Sequence, residues 1–372
     1  MNLKAEINHT TIALMAKHFC RQDISFNTIG FVALATEQLE VNSLKARISQ
    51  VATALGVYLP KDFQRSAEII LASLGPELGD AISGGQVDEE GIGGWLITSL
   101  TEFVARFGQT HFVTSMQLLK ALTKRQTAEF DMRFFLINNP EKTLATLIEW
   151  TQDPCHHVRR LVSEATRPRL PWGVQLKPFI ACPDALFPLL AALKDDESAY
   201  VRRSVANNLN DISKDHPQKV IALAKLWWQP NNIYRMRLLK KACRTLIKQR
   251  NREVLSLMGY TEPFVECQFH IADERVKRGG ALDMTISLTS LSVHRQSLLI
   301  YYILHYRLKS SRLTSKVFTW RQLELEAYQQ NVFSKQHPFL PLATRRYYPG
   351  EHKIEIIING ECFGYKVFQL ET

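Results

Sequence analysis

Cysteine is sparse in this chain, and what there is of it is scattered. Cys20, Cys155, Cys182, Cys243, Cys267 and Cys362 form no C-x-x-C pair, and no histidines stand at zinc-finger spacing behind them. Neither a disulfide framework nor a metal is therefore expected. No run of 18 apolar residues occurs, and Met1-Asn2-Leu3-Lys4-Ala5-Glu6 lacks the basic stretch and apolar segment of a secretion signal. The expectation is a cytoplasmic protein with no membrane span. A Ser/His/Asp arrangement is absent too. The glycine-rich stretch from Ser83-Gly84-Gly85 to Gly91-Ile92-Gly93-Gly94 has no Lys-Ser/Thr and follows no strand pattern, so it reads as a surface loop rather than a P-loop. His156 and His157 are adjacent, about 100° apart on a helix, with no third ligand spaced to join them.

What the sequence has is repetition. His157-Val158-Arg159-Arg160 returns forty-three residues on as Tyr200-Val201-Arg202-Arg203. The same offset carries the segment Pro140 to Trp150 onto Pro183 to Leu193, and a further thirty-four residues lead to Pro217 to Trp227. Each segment opens on a proline, which is tolerated in a helix's first turn because the missing N–H would have no partner there. The unit is a helical pair stacked on its neighbours like a HEAT repeat. Apolar periodicity in Ile12-Ala13-Leu14-Met15 and through Ile48, Val51, Ala52 and Leu55 predicts helices within residues 1–75. Helical patterning resumes at Trp95 and runs to about Leu257.

Beyond that point the period changes. Segments 264–271, 282–288, 299–306 and 353–358 are strand-length runs rich in β-branched and aromatic residues, separated by turn signals such as Arg278-Gly279-Gly280, Pro349-Gly350 and Asn359-Gly360. With 372 residues, 45% of them apolar, two domains are expected. The fold class is mostly α: a HEAT-like helical-repeat solenoid over residues 1–258, then a small all-β immunoglobulin-like sandwich of about seven strands over 259–372, divided near Gly259.

Charge suggests what the solenoid holds. Residues 1–126 carry 11 basic and 12 acidic side chains, residues 127–258 carry 21 and 13, and residues 260–372 carry 14 and 11. Most of the net +10 thus sits on the repeats, whose curvature would make a concave face suited to an extended polyanion. Double-stranded DNA is the partner expected. Arg159, Arg160, Arg167, Arg169, Arg202 and Arg203 are the candidate phosphate contacts within the repeats. The segment Asn231 to Arg252 reads as one densely basic helix, with Arg237, Lys241, Arg244 and Lys248 as its stripe.

Carboxylates are out of place in such a cleft, because they repel the phosphates they approach. Yet Arg160, Glu164 and Arg167 line up at i, i+4, i+7 beside the buried stripe Val158, Leu161, Val162 and Ala165, and the repeat offset leads to Arg203 and Asn207, with Asp211 one further turn along. Glu164 is open to two readings: an i,i+4 ion pair with Arg160, or an anion placed where a cationic sugar develops. Trp172, in an insertion between repeats, can either stack against a base or cationic sugar or plug a gap between helices.

Residues from about Trp95 onward resemble the AlkC branch of the HEAT-like alkylbase DNA glycosylases, relatives of AlkD, in the subgroup with a C-terminal sandwich. The resemblance rests on Leu100-Thr101-Glu102-Phe103-Val104-Ala105, on Leu122-Thr123-Lys124-Arg125-Gln126-Thr127-Ala128-Glu129-Phe130, and on Val158-Arg159-Arg160-Leu161-Val162-Ser163-Glu164 with Arg167-Pro168-Arg169-Leu170-Pro171-Trp172. It implies excision of cationic N-alkylated bases, above all 3-methyladenine and then 3-methylcytosine, from duplex DNA; a monomer without cofactor or metal is expected. Glu129, Glu164 and Asp211 would be the carboxylates of the site and Trp172 its aromatic wall. It further implies strongly bent DNA and no deep base pocket. Asp131-Met132 and Phe134-Phe135 depart from the more apolar, proline-bearing stretch expected there. Arg133, at i+4 from Glu129, invites an ion pair. The sandwich, with Arg345-Arg346-Tyr347-Tyr348, either completes a clamp on DNA or is a packing appendage. Two other readings need no chemistry: a non-catalytic HEAT-repeat DNA-binding protein, and a protein-interaction scaffold.

Overall fold

A computed structural model of the chain describes residues 3–310, 312–340 and 347–371; Arg345 and Arg346 lie outside them. The helices are α1 (His9–Gln22), α2 (Thr28–Thr36), α3 (Leu44–Tyr58), α4 (Phe63–Ala72), α5 (Ile97–Phe107), α6 (Phe112–Thr123), α7 (Glu129–Asn138), α8 (Pro140–Trp150), α9 (His156–Ala165), α10 (Lys177–Ala181), α11 (Phe187–Leu193), α12 (Ala199–Ile212), α13 (Pro217–Trp227), α14 (Ile233–Ala242), α15 (Arg244–Lys248) and α16 (Arg252–Leu257). Starts follow local chemistry. Asn8, Asn27, Ser43, Asp62 and Ser198 each accept a first-turn backbone N–H with the side chain, and Pro140 and Pro217 begin their helices.

The helices stack in the manner of repeats. One row runs α3, α5, α7, α9, α12, α14, each packed on the next, with α4 on α6, α6 on α9 and α8 on α7 and α9 behind it. Val158, Leu161, Val162 and Ala165 of α9 are fully buried, as are Val201, Val205 and Ala206 of α12. At about 1.5–3 kcal/mol for each large aliphatic side chain, this seam fixes which faces of α9 and α12 remain to carry charge. The alignment of prolines is less regular than the offsets suggest: Pro183 leads into a 3-10 turn, Asp184–Leu186, before α11. The basic segment 231–252 is three helices rather than one. Cys243 leaves helical geometry at φ −90°, ψ 7°, Arg250 is left-handed at φ 61°, and Asn251 caps α16 afresh.

Packing divides the chain into two compact units. One comprises the residues through Val220 with Trp227–Ala242; the other comprises Ile221–Leu226 with the chain from Cys243 onward. The change from helix to strand lies between Leu257 and Val265, near the expected Gly259, so α15 and α16 pack with the strands that follow them.

The strands are β1 (Val265–Ile271), β2 (Arg275–Lys277), β3 (Ala281–Ser290), β4 (Gln296–Arg307), β5 (Leu313–Leu325), β6 (Gln330–Pro338), β7 (Gly350–Ile358) and β8 (Glu361–Glu371). They form sheets of order β1-β3-β6 and β2-β8-β7-β4-β5. Alternation places Leu282, Met284, Ile286 and Leu288 in the same core as Ile300, Tyr302 and Leu304 of β4, which pair with Ile358, Ile356 and Ile354 of β7. Asn359 and Gly360, both at positive φ, make the two-residue β7–β8 turn.

Candidate active site

The predicted acids lie in one chain of ion pairs across α7, α9 and α12. Glu129 begins α7, where the helix dipole favours an anion; Thr127 Oγ1 and Arg160 both donate to its Oε2. Arg160 Nη2 lies 3.5 Å from Glu164 Oε1, and that oxygen accepts from Arg167 Nη1 at 2.7 Å. Ser204 Oγ donates to Glu164 Oε2 at 2.6 Å. Arg167 Nε reaches Asp211 Oδ2 at 2.8 Å, and Lys214 closes the line on Asp211 Oδ1 at 2.9 Å. Acids and bases alternate, three of each, and only Glu129 Oε1 accepts nothing among the described residues.

The electrostatics follow from burial. Burial alone would push the Glu164 carboxyl up, but Arg160, Arg167 and the Ser204 hydroxyl outweigh it and hold the group below its ordinary range. The two guanidiniums resist the same burial because the acids hold them charged. Tyr200, whose ring centroid is 5.0 Å from Arg160 Cζ, has its phenol pushed up by burial. With Gln126, Thr127, His157 and Arg160 it borders a polar recess of about 10 Å³, room for roughly one water. The i,i+4 pairing of Glu164 with Arg160 is therefore real, but it is one link in a network.

Trp172 plugs no gap. It is 79% exposed and sits at φ 67°, a strained left-handed conformation for a side chain of that size. Arg133 holds its loop. The guanidinium, wholly buried, donates to the carbonyls of Val174 at 2.6 Å, Ala165 at 2.8 Å and Arg167 at 2.7 Å, with Pro168 O at 3.5 Å. Instead of pairing with Glu129, Arg133 ties the end of α9 to the loop beyond it. Its burial, reinforced by Arg167, pulls its pKa down to about 10, so it stays charged at neutral pH. The Trp172 indole makes no hydrogen bond, ring or cation contact with the ion-pair chain among the described residues. It borders instead a cavity of about 660 Å³ between α3, α5, α7 and its own loop.

Comparison with known proteins fits this arrangement. The uncharacterized protein YhaZ of Bacillus subtilis (strain 168) is 32% identical over 99% of both chains. The structure of Pseudomonas fluorescens alkylpurine DNA glycosylase AlkC, bound to DNA containing an abasic site analog, matches with a TM-score of 0.90 over 100% of each chain at 31% identity. The chain belongs to the AlkC-type family. Its sandwich matches, over residues 266–372, the family model of the YhaZ C-terminal Ig-like domain, which places it in the branch of AlkC-type proteins carrying that domain.

Within this AlkC-type frame the basic residues sort into two groups. Arg159 is internal: it donates to Asp196 through Nε and Nη2, to Glu197, and to the carbonyls of Asp153 and Pro154. Arg160 and Arg167 belong to the ion-pair chain. Arg169 forms a two-pronged pair with Asp215, both bonds 2.8 Å, and Arg202 is turned onto the carbonyls of Asp196 and Glu197, with Tyr234 beneath it. Each of these five guanidiniums is engaged within the protein. Arg203, Arg237 and Lys248 are exposed, with no ion pair among the described residues. Lys241 and Arg244 are half-buried, and Lys248 and Arg244 sit on α15, in the other compact unit from Arg237 and Lys241.

Sequence reasoning flagged Asp131 only as a departure from the family pattern. It is 7% exposed, and burial pushes its pKa up to about 7 despite a hydrogen bond with Thr101. A folded pKa above the unfolded value near 3.8 favours the fold fully below pH 3.8, and that contribution is lost as pH climbs to about 7. Asp131→Asn, which cannot ionise, should therefore gain stability relative to wild type across that window and hold the gain above it. Urea midpoints at pH 5 and pH 8 check this; an unchanged difference between the two would mean that Asp131 ionises normally.

Proposed function

We propose that this chain is a monofunctional DNA-repair glycosylase that hydrolyses the N-glycosidic bond of cationic N-alkylated bases in duplex DNA, 3-methyladenine foremost and 3-methylcytosine beside it. It acts as a monomer in the cytoplasm. The observation that carries this reading is Glu164: a carboxylate held ionised in a buried position, in one linked chain with Glu129 and Asp211. An alkylated ring nitrogen makes the base a leaving group that needs no protonation. When the bond breaks, the base takes the electron pair and leaves neutral, and positive charge spreads over C1′ and the ring oxygen of the sugar. Fixed anions in a low-dielectric site stabilise that charge without reorganising. Water adds to C1′ and gives its proton to a carboxylate; Glu129 Oε1, open to accept, suits that step. Exposed Trp172 faces the cationic sugar.

A second reading, a DNA-binding repeat protein without chemistry, is favoured by one feature. Five of the six oxygens of Glu129, Glu164 and Asp211 are already hydrogen-bonded inside the protein. Chromatography of bases released from methylated duplex DNA decides between them: 3-methyladenine in the supernatant supports the glycosylase, whereas tight DNA binding with no released base leaves only the second. Binding should also weaken steeply with salt, and Arg203→Ala should reduce the log–log salt slope by about 0.9, the value for one phosphate contact. A flat salt dependence would instead point to a protein scaffold.

A further inference from the structure

The seam between α9 and α12 departs from the repeat at two positions. Forty-three residues on, Val158 and Val162 return as Val201 and Val205, but Leu161 returns as Ser204 and Ala165 as Asn208. All four α12 residues are buried. A hydroxyl and an amide are costly to bury where the repeat has aliphatic groups, unless they find partners, and the partners found here surround Glu164. Asn208 Nδ2 donates to Ser163 O at 2.8 Å and to Thr166 Oγ1 at 3.0 Å, which pins α9 on either side of the glutamate. Ser204 Oγ donates to the carboxylate itself, at 2.6 Å from Oε2. A hydroxyl inside a helix commonly donates back to the carbonyl four residues earlier, as Thr36, Thr53 and Thr146 do. Ser204 sends its one proton across the seam instead. The two oxygens of Glu164 are thereby divided: Arg160 and Arg167 lie on Oε1, Ser204 on Oε2.

We infer that Ser204 is a positioning residue, which keeps the Glu164 carboxylate from turning both oxygens onto Arg160 and Arg167. It acts through Glu164 rather than on substrate. A carboxylate gripped through both oxygens by guanidiniums is a strong, closed pair. Held by a neutral hydroxyl on one side, it keeps a fixed orientation and more of its negative field for a cation forming nearby, which is the condition for stabilisation without reorganisation. The inference rests on the glycosylase reading for what the aimed carboxylate does, but the coupling of Ser204 to Glu164 does not require catalysis.

A double-mutant cycle of Ser204→Ala and Glu164→Gln in the full chain, read both by release of 3-methyladenine from methylated duplex DNA and by urea midpoint, tests this. Ser204→Ala removes a single oxygen, so the fold should survive it. The change is expected to lower kcat about tenfold with KM unchanged, the loss typical of one hydrogen bond to a charged group. It should also move the acid limb of the kcat–pH profile upward, because the ionised carboxyl has lost a donor. In the Glu164→Gln background the same change should cost less than about twofold. A tenfold loss that persists in that background, or a rate indifferent to Ser204→Ala, overturns the positioning role while leaving the glycosylase reading in place. No release from wild type sinks the glycosylase reading, and the urea midpoints then decide on Ser204 by themselves. The difference between wild type and Ser204→Ala should be present at pH 7 and shrink as pH falls below 4.5, the ordinary value for the glutamate. A difference independent of pH would mean that Ser204 does not hold the ionised carboxylate.

Discussion

Glu164→Gln is expected to lower the rate of 3-methyladenine release by at least about 100-fold, the scale of one preorganised charge-stabilising group, while DNA binding stays intact or tightens. Glutamine keeps the volume and one oxygen for Arg167, so α9 can hold its place. On the proposed mechanism, what it removes is a negative charge that repels phosphate in the ground state and attracts a cationic sugar in the transition state. Loss of rate without loss of affinity is the signature of an interaction made only as the bond breaks. The variant also loses stability, because Arg160 and Arg167 keep their buried charges with one anion fewer. That loss has a pH signature. The Glu164 pKa is depressed below its ordinary value near 4.5, so its contribution is present above that value and vanishes as pH falls through the lower folded pKa. Wild type and variant should therefore differ in urea midpoint at pH 7 and converge in acid. Equal release rates for folded variant and wild type would reduce Glu164 to a structural ion pair.

The helical repeats, the proline starts of α8 and α13, and the buried face of α9 were legible because periodicity and capping are local. The burial of Val158, Leu161, Val162 and Ala165 follows from spacing alone. Two of the site's links were legible in the same way: Glu164 with Arg160 and Arg167 lies within one turn. The link to Asp211 needed the repeat offset, and Glu129 needed the family resemblance, since its partner Arg160 comes from another helix. What spacing could not show is where arginines point. Arg159, Arg169 and Arg202 look like phosphate contacts in a string of basic letters, yet each finds an acid or a carbonyl five to forty-six residues away. Asp131 was hidden for the converse reason: its environment is made by α3, α5 and the Trp172 loop, which only the tertiary fold brings round it. The break at Cys243 was likewise invisible, because the composition of 231–252 is helical throughout and the interruption is one of backbone geometry.

Arg133→Met should be the most destabilising single change on this side of the fold. Methionine roughly retains the stem and its packing but removes every donor, leaving the buried carbonyls of Ala165 and Arg167 and the part-buried carbonyl of Val174 without Arg133. Each orphaned acceptor costs about 1–3 kcal/mol, less than additively. A total of about 3–5 kcal/mol corresponds to a melting midpoint lower by roughly 6–20 °C for a unit of this size. Global loss is only part of the effect. The same guanidinium spans the end of α9, which carries Glu164, and the loop that holds Trp172 at φ 67°, so it sets the geometry between anion and indole. Release assayed well below the variant's midpoint should therefore fall with kcat rather than KM, and Arg133→Lys, able to restore a charge and some of the bonds, should recover part of both stability and rate. Trp172→Ala separates the two consequences, since an exposed indole contributes little to the melting midpoint but its loss should slow release. A melting midpoint for Arg133→Met within 2 °C of wild type, the least that about 1 kcal/mol would produce, would mean that these carbonyls find other donors and that the loop does not depend on Arg133.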